Sequence, residues 1–294
     1  MNLWQQPDWD GWLSAITGFI LCTGATRIAV PGFCKMLAKA GLTRPNFKGQ
    51  QIPVGAGAVM YLVFALVGLL LIILDKLMQQ APLLGPVLTL ASGMAFLGLV
   101  DDVAGNRETS GLRGHLRKWI REGELTTGFV KALCGAGFAL GVAVWGSPYT
   151  GMSFSWFGNV IADAMVIALM ANWINLLDVR PGRALKGSLL TVAGLIYFAS
   201  YEALVPLSLL TGVALGYYPA DIRAKAMMGD VGSNFLGAVI GYAAVATFNF
   251  KATLMVLASL LALHWYTEHR SLSDLIANNK WLDWMDRFGR GEAR

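Results

Sequence analysis

The chain has 294 residues, 55% of them hydrophobic and only 14% charged. Soluble domains carry about 25% charged residues, so this balance excludes an ordinary water-soluble globule and points to lipid as solvent. The net charge of +5 then belongs to topology and lipid headgroups, and no nucleic-acid partner is needed to explain it.

Taken in chain order, nine apolar stretches are predicted spans: Trp12–Val30, Gly57–Leu74, Leu83–Val100, Thr126–Trp145, Phe157–Leu177, Ser188–Tyr201, Ala203–Tyr218, Val231–Phe250 and Ala252–Thr267. A helix needs about 20 apolar residues to cross, so the sixth and seventh are short and could form a re-entrant pair. None shows the alternation of barrel strands. Hydrocarbon leaves helices as the remaining way to satisfy the backbone, so the predicted fold is an all-α polytopic bundle. Residues 1–268 make its transmembrane domain. The acidic start Met1–Asp10 and the long first run do not resemble a cleavable signal. The three cysteines are scattered, without disulfide or metal spacing, and read as packing residues.

Nine spans sort the connections into two alternating sets. Lys76 and Lys251 lie in one set, and 21 of the 23 Lys and Arg lie in the other, with Arg27 and Lys131 counted there as span-end residues. The positive-inside rule makes the basic side cytoplasmic, which puts the N-terminus outside and the C-terminus inside.

The acids on that basic side carry the chemistry. Asp101 and Asp102 end the third span, Asp178 ends the fifth, and Asp221 and Asp230 flank the turn before the eighth. Adjacent carboxylates at a low-dielectric boundary repel unless they share a cation or proton. Oxygen ligands without Cys or His suit a hard ion such as Mg²⁺. Helix capping and turn formation is the plain alternative for any one of them. Gly229-Asp230-Val231-Gly232-Ser233 at a helix start also offers backbone N–H groups to an anion. Asn172 and Asn175 share a helix face three residues apart, as interhelical glue or as contacts to a ligand such as a uracil ring. Asp163 lies roughly 22 Å from Asp178 along the same helix, too far to join them. His115, between Arg113 and Arg117, reads as a loop residue.

Three blocks, VDDVAGNRETSGLRGH, NWINLLDVRPGRALKG and MGDVGSNFLG, resemble the signatures of the polyprenyl-phosphate N-acetylhexosamine-1-phosphate transferases. That superfamily, glycosyltransferase family 4, includes the phospho-N-acetylmuramoyl-pentapeptide transferases. NFKGQQIPVGAGAVM is similar to the family's first cytoplasmic loop, with Lys48 at its lysine position. The resemblance implies Mg²⁺-dependent transfer of a sugar 1-phosphate from a UDP-sugar to undecaprenyl phosphate, with release of UMP, in a bacterial inner membrane. It allows a homodimer. Asp101 and Asp102 match the family's aspartate pair and Asp230 its metal-binding aspartate. Asp230 is thus the expected metal ligand, Asp101 the candidate base toward the lipid phosphate, and Asp102 a second metal ligand or the group that orients its neighbour. Lys48, Asn172, Asn175 and Asp178 match the family's substrate-binding positions, and Arg180, Arg183 and Asp221 beside them are further candidates to bind substrate.

Three features depart from the family pattern. Pro181 stands at the second aspartate position of the nucleotide block, and Asp221 stands where many relatives have Asn. In place of a histidine-rich loop and a last span, the chain offers His264, His269 and Arg270. A polyprenyl-lipid-binding relative without turnover is the alternative, and retention of all four motif acids favours an enzyme. A transporter fits less well, because these acids sit at helix ends rather than mid-membrane. The tail, residues 269–294, places Leu272, Leu275, Ile276, Trp281, Leu282, Trp284, Met285 and Phe288 among polar residues. That pattern predicts a helix at the lipid interface or one packed on the bundle.

Overall fold

The computed structural model describes residues 9–78, 84–105, 111–123, 125–146, 153–199 and 201–290. Parts of the charge count and the acidic start fall outside these residues, as does the side chain of His115. In chain order come α1 (Trp9–Lys39), a hairpin of β1 (Thr43–Pro45) and β2 (Gln51–Pro53), α2 (Ala58–Met78) and α3 (Leu84–Ala104). Then follow α4 (Gly111–Glu122), α5 (Thr127–Gly146), α6 (Phe154–Leu177) and α7 (Arg183–Phe198). The rest are α8 (Tyr201–Asp221), α9 (Gly229–Thr247), α10 (Phe250–His269), α11 (Leu272–Asn278) and α12 (Lys280–Arg287).

The chain is therefore an all-α polytopic bundle with one small hairpin. A helix overlies most of each expected span, α7 and α9 stopping short of the expected ends at Tyr201 and Phe250. Among the described residues six are long and apolar enough to cross a membrane by length and composition: α1, α3, α5, α6, α8 and α10. In α2 the qualifying apolar stretch is the shorter Ala58–Leu74, and α7 has 16 residues.

The central helix, α9, has a different reason for missing that measure. Its buried residues run unbroken from Val231 to Ala244, because α2, α3, α6, α7 and α8 all pack around it. A helix enclosed by protein does not need lipid-soluble side chains, so small and polar residues replace leucines. Four of its glycines allow the approach. Added Cβ atoms on Gly237 and Gly241 would collide with the α6 backbone, at 2.5 Å from the Met170 carbonyl and 2.8 Å from the Ile167 Cα.

Three features depart from the sequence reading. α1 continues past Val30 to Lys39 despite Pro31. α4 is a helix where a charged connection is expected, and its Trp119 stacks on Phe129 at 5.0 Å. The NFKGQQIP segment is the β1–β2 hairpin, paired antiparallel with Arg44 opposite Ile52. Its turn is closed by Asn46, whose Oδ1 accepts from the amides of Lys48 (2.9 Å) and Gln50 (3.0 Å), a local turn motif open to Asn and Asp.

Candidate active site

The C-terminal ends of α3, α6, α8 and α10 and the N-terminal ends of α5 and α9 meet at one end of the bundle around a cavity of about 1220 Å³. Close backbone contact sets the geometry. Gly98 lies against the Asp230 carbonyl, where any Cβ would overlap it. This lets the last turn of α3, with Asp101 and Asp102, reach the first turn of α9, with Asp230. The hairpin is stitched to the same end: Met227 N donates to Pro53 O (2.8 Å), and the amides of Ala56 and Gly57 donate to the carbonyls of Met227 (3.0 Å) and Met228 (2.9 Å).

Two carboxylates converge on one cation. Lys131, in the second turn of α5, donates to Asp101 Oδ2 at 2.9 Å and also to Asp230 Oδ2. Thr127, one turn earlier on α5, donates to Asp101 Oδ1 at 2.5 Å. Sequence reasoning takes Lys131 as a topological charge. Its one visible signal is a lone lysine four residues inside an apolar helix start, where an unpaired ammonium would be costly.

Asp102 has a different task from its neighbour. It is 7% exposed, and its Oδ1 and Oδ2 accept from the amides of Asp230 and Val231, each at 3.0 Å. The start of α9 does offer its N–H groups to an anion, and that anion is this internal carboxylate. A carboxylate here satisfies two orphan donors and complements the helix dipole. Gly229, with φ of 74°, brings the backbone so near that a Cβ would strike Asp102. Arg44 Nη2 holds the Asp102 carbonyl at 2.9 Å.

The other sequence-derived residues divide. Asn172, Asp178, Arg180 and Asp221 line the cavity with Asp101, Asp102 and Asp230. Asp178, just past the end of α6, is held well above the ordinary carboxylate range by burial and by the charges of Asp221, Asp230 and Asp102. Asp221 is 4% exposed and accepts from the Gly182 amide at 2.8 Å, so it braces the 179–182 loop. Three residues do not line the cavity. Asn175 Oδ1 accepts from Ser233 Oγ (2.8 Å), the interhelical alternative. Lys48 is exposed in the hairpin turn, 5.3 Å from the Phe47 ring. Arg183 is engaged by Asp286 and Ser273 of the tail. A partner more than 90 residues downstream left no mark in the local sequence.

The wall also carries residues that sequence reasoning leaves out of the site. Asn234, on α9, has a buried Nδ2 without a hydrogen-bond partner, and so has Nε2 of His264 on α10. Thr267, Glu268 and His269 complete that wall. Buried polar atoms usually have partners, so a cavity-lining amide without one is a ready contact for a ligand.

Among the described residues no three His, Cys, Asp or Glu side chains group closely enough to hold a metal ion. The pair Asp101 and Asp230 nevertheless fits a hard cation, because their oxygens already address one ammonium. Mg²⁺ commonly takes only one or two carboxylates and fills its shell with waters and phosphate oxygens.

The glycosyl transferase family 4 model matches residues 84–248, a stretch from the start of α3 past the end of α9 that holds all of these acids and Lys131. The chain belongs to glycosyl transferase family 4. It is also similar to a phospho-N-acetylmuramoyl-pentapeptide-transferase of Nautilia profundicola, with 29% identity over 265 residues, covering 79% of this chain and 72% of that protein. The family match begins after α2 and ends before α10, so the first 83 residues as well as His264, His269 and the tail of this family 4 transferase lie outside it.

Proposed function

We propose that this family 4 member transfers a sugar 1-phosphate from a UDP-sugar to undecaprenyl phosphate and releases UMP, in a bacterial inner membrane. The observation that carries the reading is the convergence of Asp101 and Asp230, from helices distant in sequence, on Lys131 beside a cavity large enough for a nucleotide sugar. Phosphoryl transfer asks a protein mainly for positioning and charge neutralisation. An oxygen of the lipid phosphate bonds to the β-phosphorus of the donor. The bond from that phosphorus to the bridging oxygen breaks, and UMP departs with the oxygen.

Lys131 is placed to face charge on the diphosphate, and Asp101 and Asp230 orient it. The attacking phosphate is already anionic near neutral pH, so the step needs no strong base. Asp101, with one oxygen on Thr127 and the other on Lys131, is better suited to positioning than to taking a proton. Asp101 and Asp230 would hold Mg²⁺, which when bound would neutralise developing charge on the phosphates. Asp102 stands behind them as the fixed anchor of α9. Asn172 and Arg180 are the wall residues offered to the donor.

One observation favours a second reading, a relative that binds lipid without turnover: the Lys131 ammonium already satisfies both carboxylates. UMP release separates the two. Purified protein given undecaprenyl phosphate, Mg²⁺ and a panel of UDP-sugars should release UMP with at least one donor, and none with any donor would sink the transferase reading.

The cavity end is assigned to the cytoplasm by the basic residues gathered there. A Lys48→Cys variant in a cysteine-free background should react with an impermeant maleimide from the cytoplasmic side alone. Reaction from outside would reverse the topology.

A further inference from the structure

The tail after α10 has no task in the reaction described above, yet it is bound tightly to the site. Asn279 caps α12, its Oδ1 accepting from the amides of Trp281 (3.1 Å) and Leu282 (3.2 Å). At the other end of α12, Lys186 Nζ donates to the carbonyls of Met285 (2.9 Å), Asp286 (2.7 Å) and Phe288 (2.9 Å). Asp286 takes the Arg183 guanidinium in a two-pronged bond, with Nε on Oδ1 and Nη2 on Oδ2, both at 2.8 Å. The third nitrogen, Nη1, reaches Ser273 Oγ at 3.0 Å. Arg290 closes the set, donating from Nη2 to Asp286 Oδ1 (2.5 Å) and from Nε to the Pro181 carbonyl (2.7 Å). The side chains of Arg183, Asp286 and Arg290 are 7%, 9% and 4% exposed. Burial alone would raise the Asp286 carboxyl, but the two guanidiniums outweigh it and hold it below the usual carboxylate range. Planar forks in this arrangement fix geometry as well as charge.

The backbone that Arg290 grips is the 179–182 loop, so the loop is held from both sides, by Asp221 on the Gly182 amide and by the tail on the Pro181 carbonyl. Arg180 is the residue immediately before these two held positions. Among the described residues three Lys or Arg side chains line the cavity: Arg44, Lys131 and Arg180. Arg44 is engaged by the Asp102 carbonyl and Lys131 by two aspartates. Arg180 is exposed on the wall and its guanidinium has no partner among the described residues. Among the described residues five aspartates line the cavity, and Arg180 is the lining cation without a partner, placed for an anionic ligand.

We propose that the C-terminal tail is a positioning clamp, docked by Asp286 on Arg183, through which Arg290 holds the 179–182 loop so that Arg180 meets the diphosphate of the nucleotide donor. The clamp rests on the transferase reading for its ligand. The test uses the full chain, purified in detergent with Mg²⁺, and titrates UDP by calorimetry. Arg290→Gln should weaken UDP binding about tenfold, the effect of losing one well-placed charged hydrogen bond, and Arg290→Lys, which keeps the charge but not the planar fork, should restore only part of it. Arg180→Gln should weaken binding to a similar extent, and adding Arg290→Gln to it should cause little further loss, because the two act as one unit. Unchanged affinity in Arg290→Gln, or losses that add fully in the double variant, would overturn the clamp. Wild-type protein that takes up no UDP would sink the donor reading instead. Amide exchange across residues 179–183 then decides the clamp without a ligand: faster exchange in Arg290→Gln supports it, and unchanged exchange overturns it.

Discussion

Asp230→Asn is expected to lower UMP release at least about 100-fold, within the range for loss of a preorganised charged group at a reacting centre. The amide would keep the size of the side chain but turn a neutral oxygen or an N–H toward Lys131, and the ammonium would lose one of its two counter-charges. The fold should tolerate the change. Asp230 is partly exposed, its backbone N–H still meets Asp102, and Lys131 keeps Asp101. The melting temperature in detergent should therefore stay close to that of wild type. Turnover equal to wild type would remove Asp230 from the reacting centre.

Asp102→Ala is expected to lose both activity and stability, which separates it from Asp101→Asn. At position 102 the carboxylate is buried and satisfies two amides at the head of α9. Its removal leaves those donors unpaired, at a cost of about 1–3 kcal/mol, and lets the first turn of α9 shift. At position 101 the partners are the side chains of Thr127 and Lys131 rather than backbone amides, so Asn should reduce turnover with little change in melting. Parallel UMP-release and thermal-melting measurements on the two variants check this. An Asp102→Ala protein that melts like wild type would show that the carboxylate does not anchor α9.

Much of the fold is legible because the rule that writes it is local. Uncharged runs such as Gly57–Leu74 announce helices in lipid whatever surrounds them, and the charge count orders their ends. Asp101, Asp178 and Asp230 could be grouped for the same reason, since span ends alternate between two faces. What stayed hidden depends on partners far along the chain. Asp101 and Asp102 are identical neighbours in sequence, yet consecutive helical positions point about 100° apart, and one meets Lys131 while the other caps α9. Arg183 looks like a phosphate-binding residue beside Arg180 until Asp286, 103 positions later, is seen to occupy it. α4 was masked by its own charges, which mark a helix face only once their four-residue spacing is weighed against their number.

The transfer is tested most directly by the lipid product. Undecaprenyl phosphate in vesicles, incubated with the purified chain, Mg²⁺ and a panel of UDP-sugars, should gain the mass of one sugar phosphate with one donor, in step with UMP release. Lipid of unchanged mass with every donor, from protein that is folded and binds UDP, would contradict the assignment.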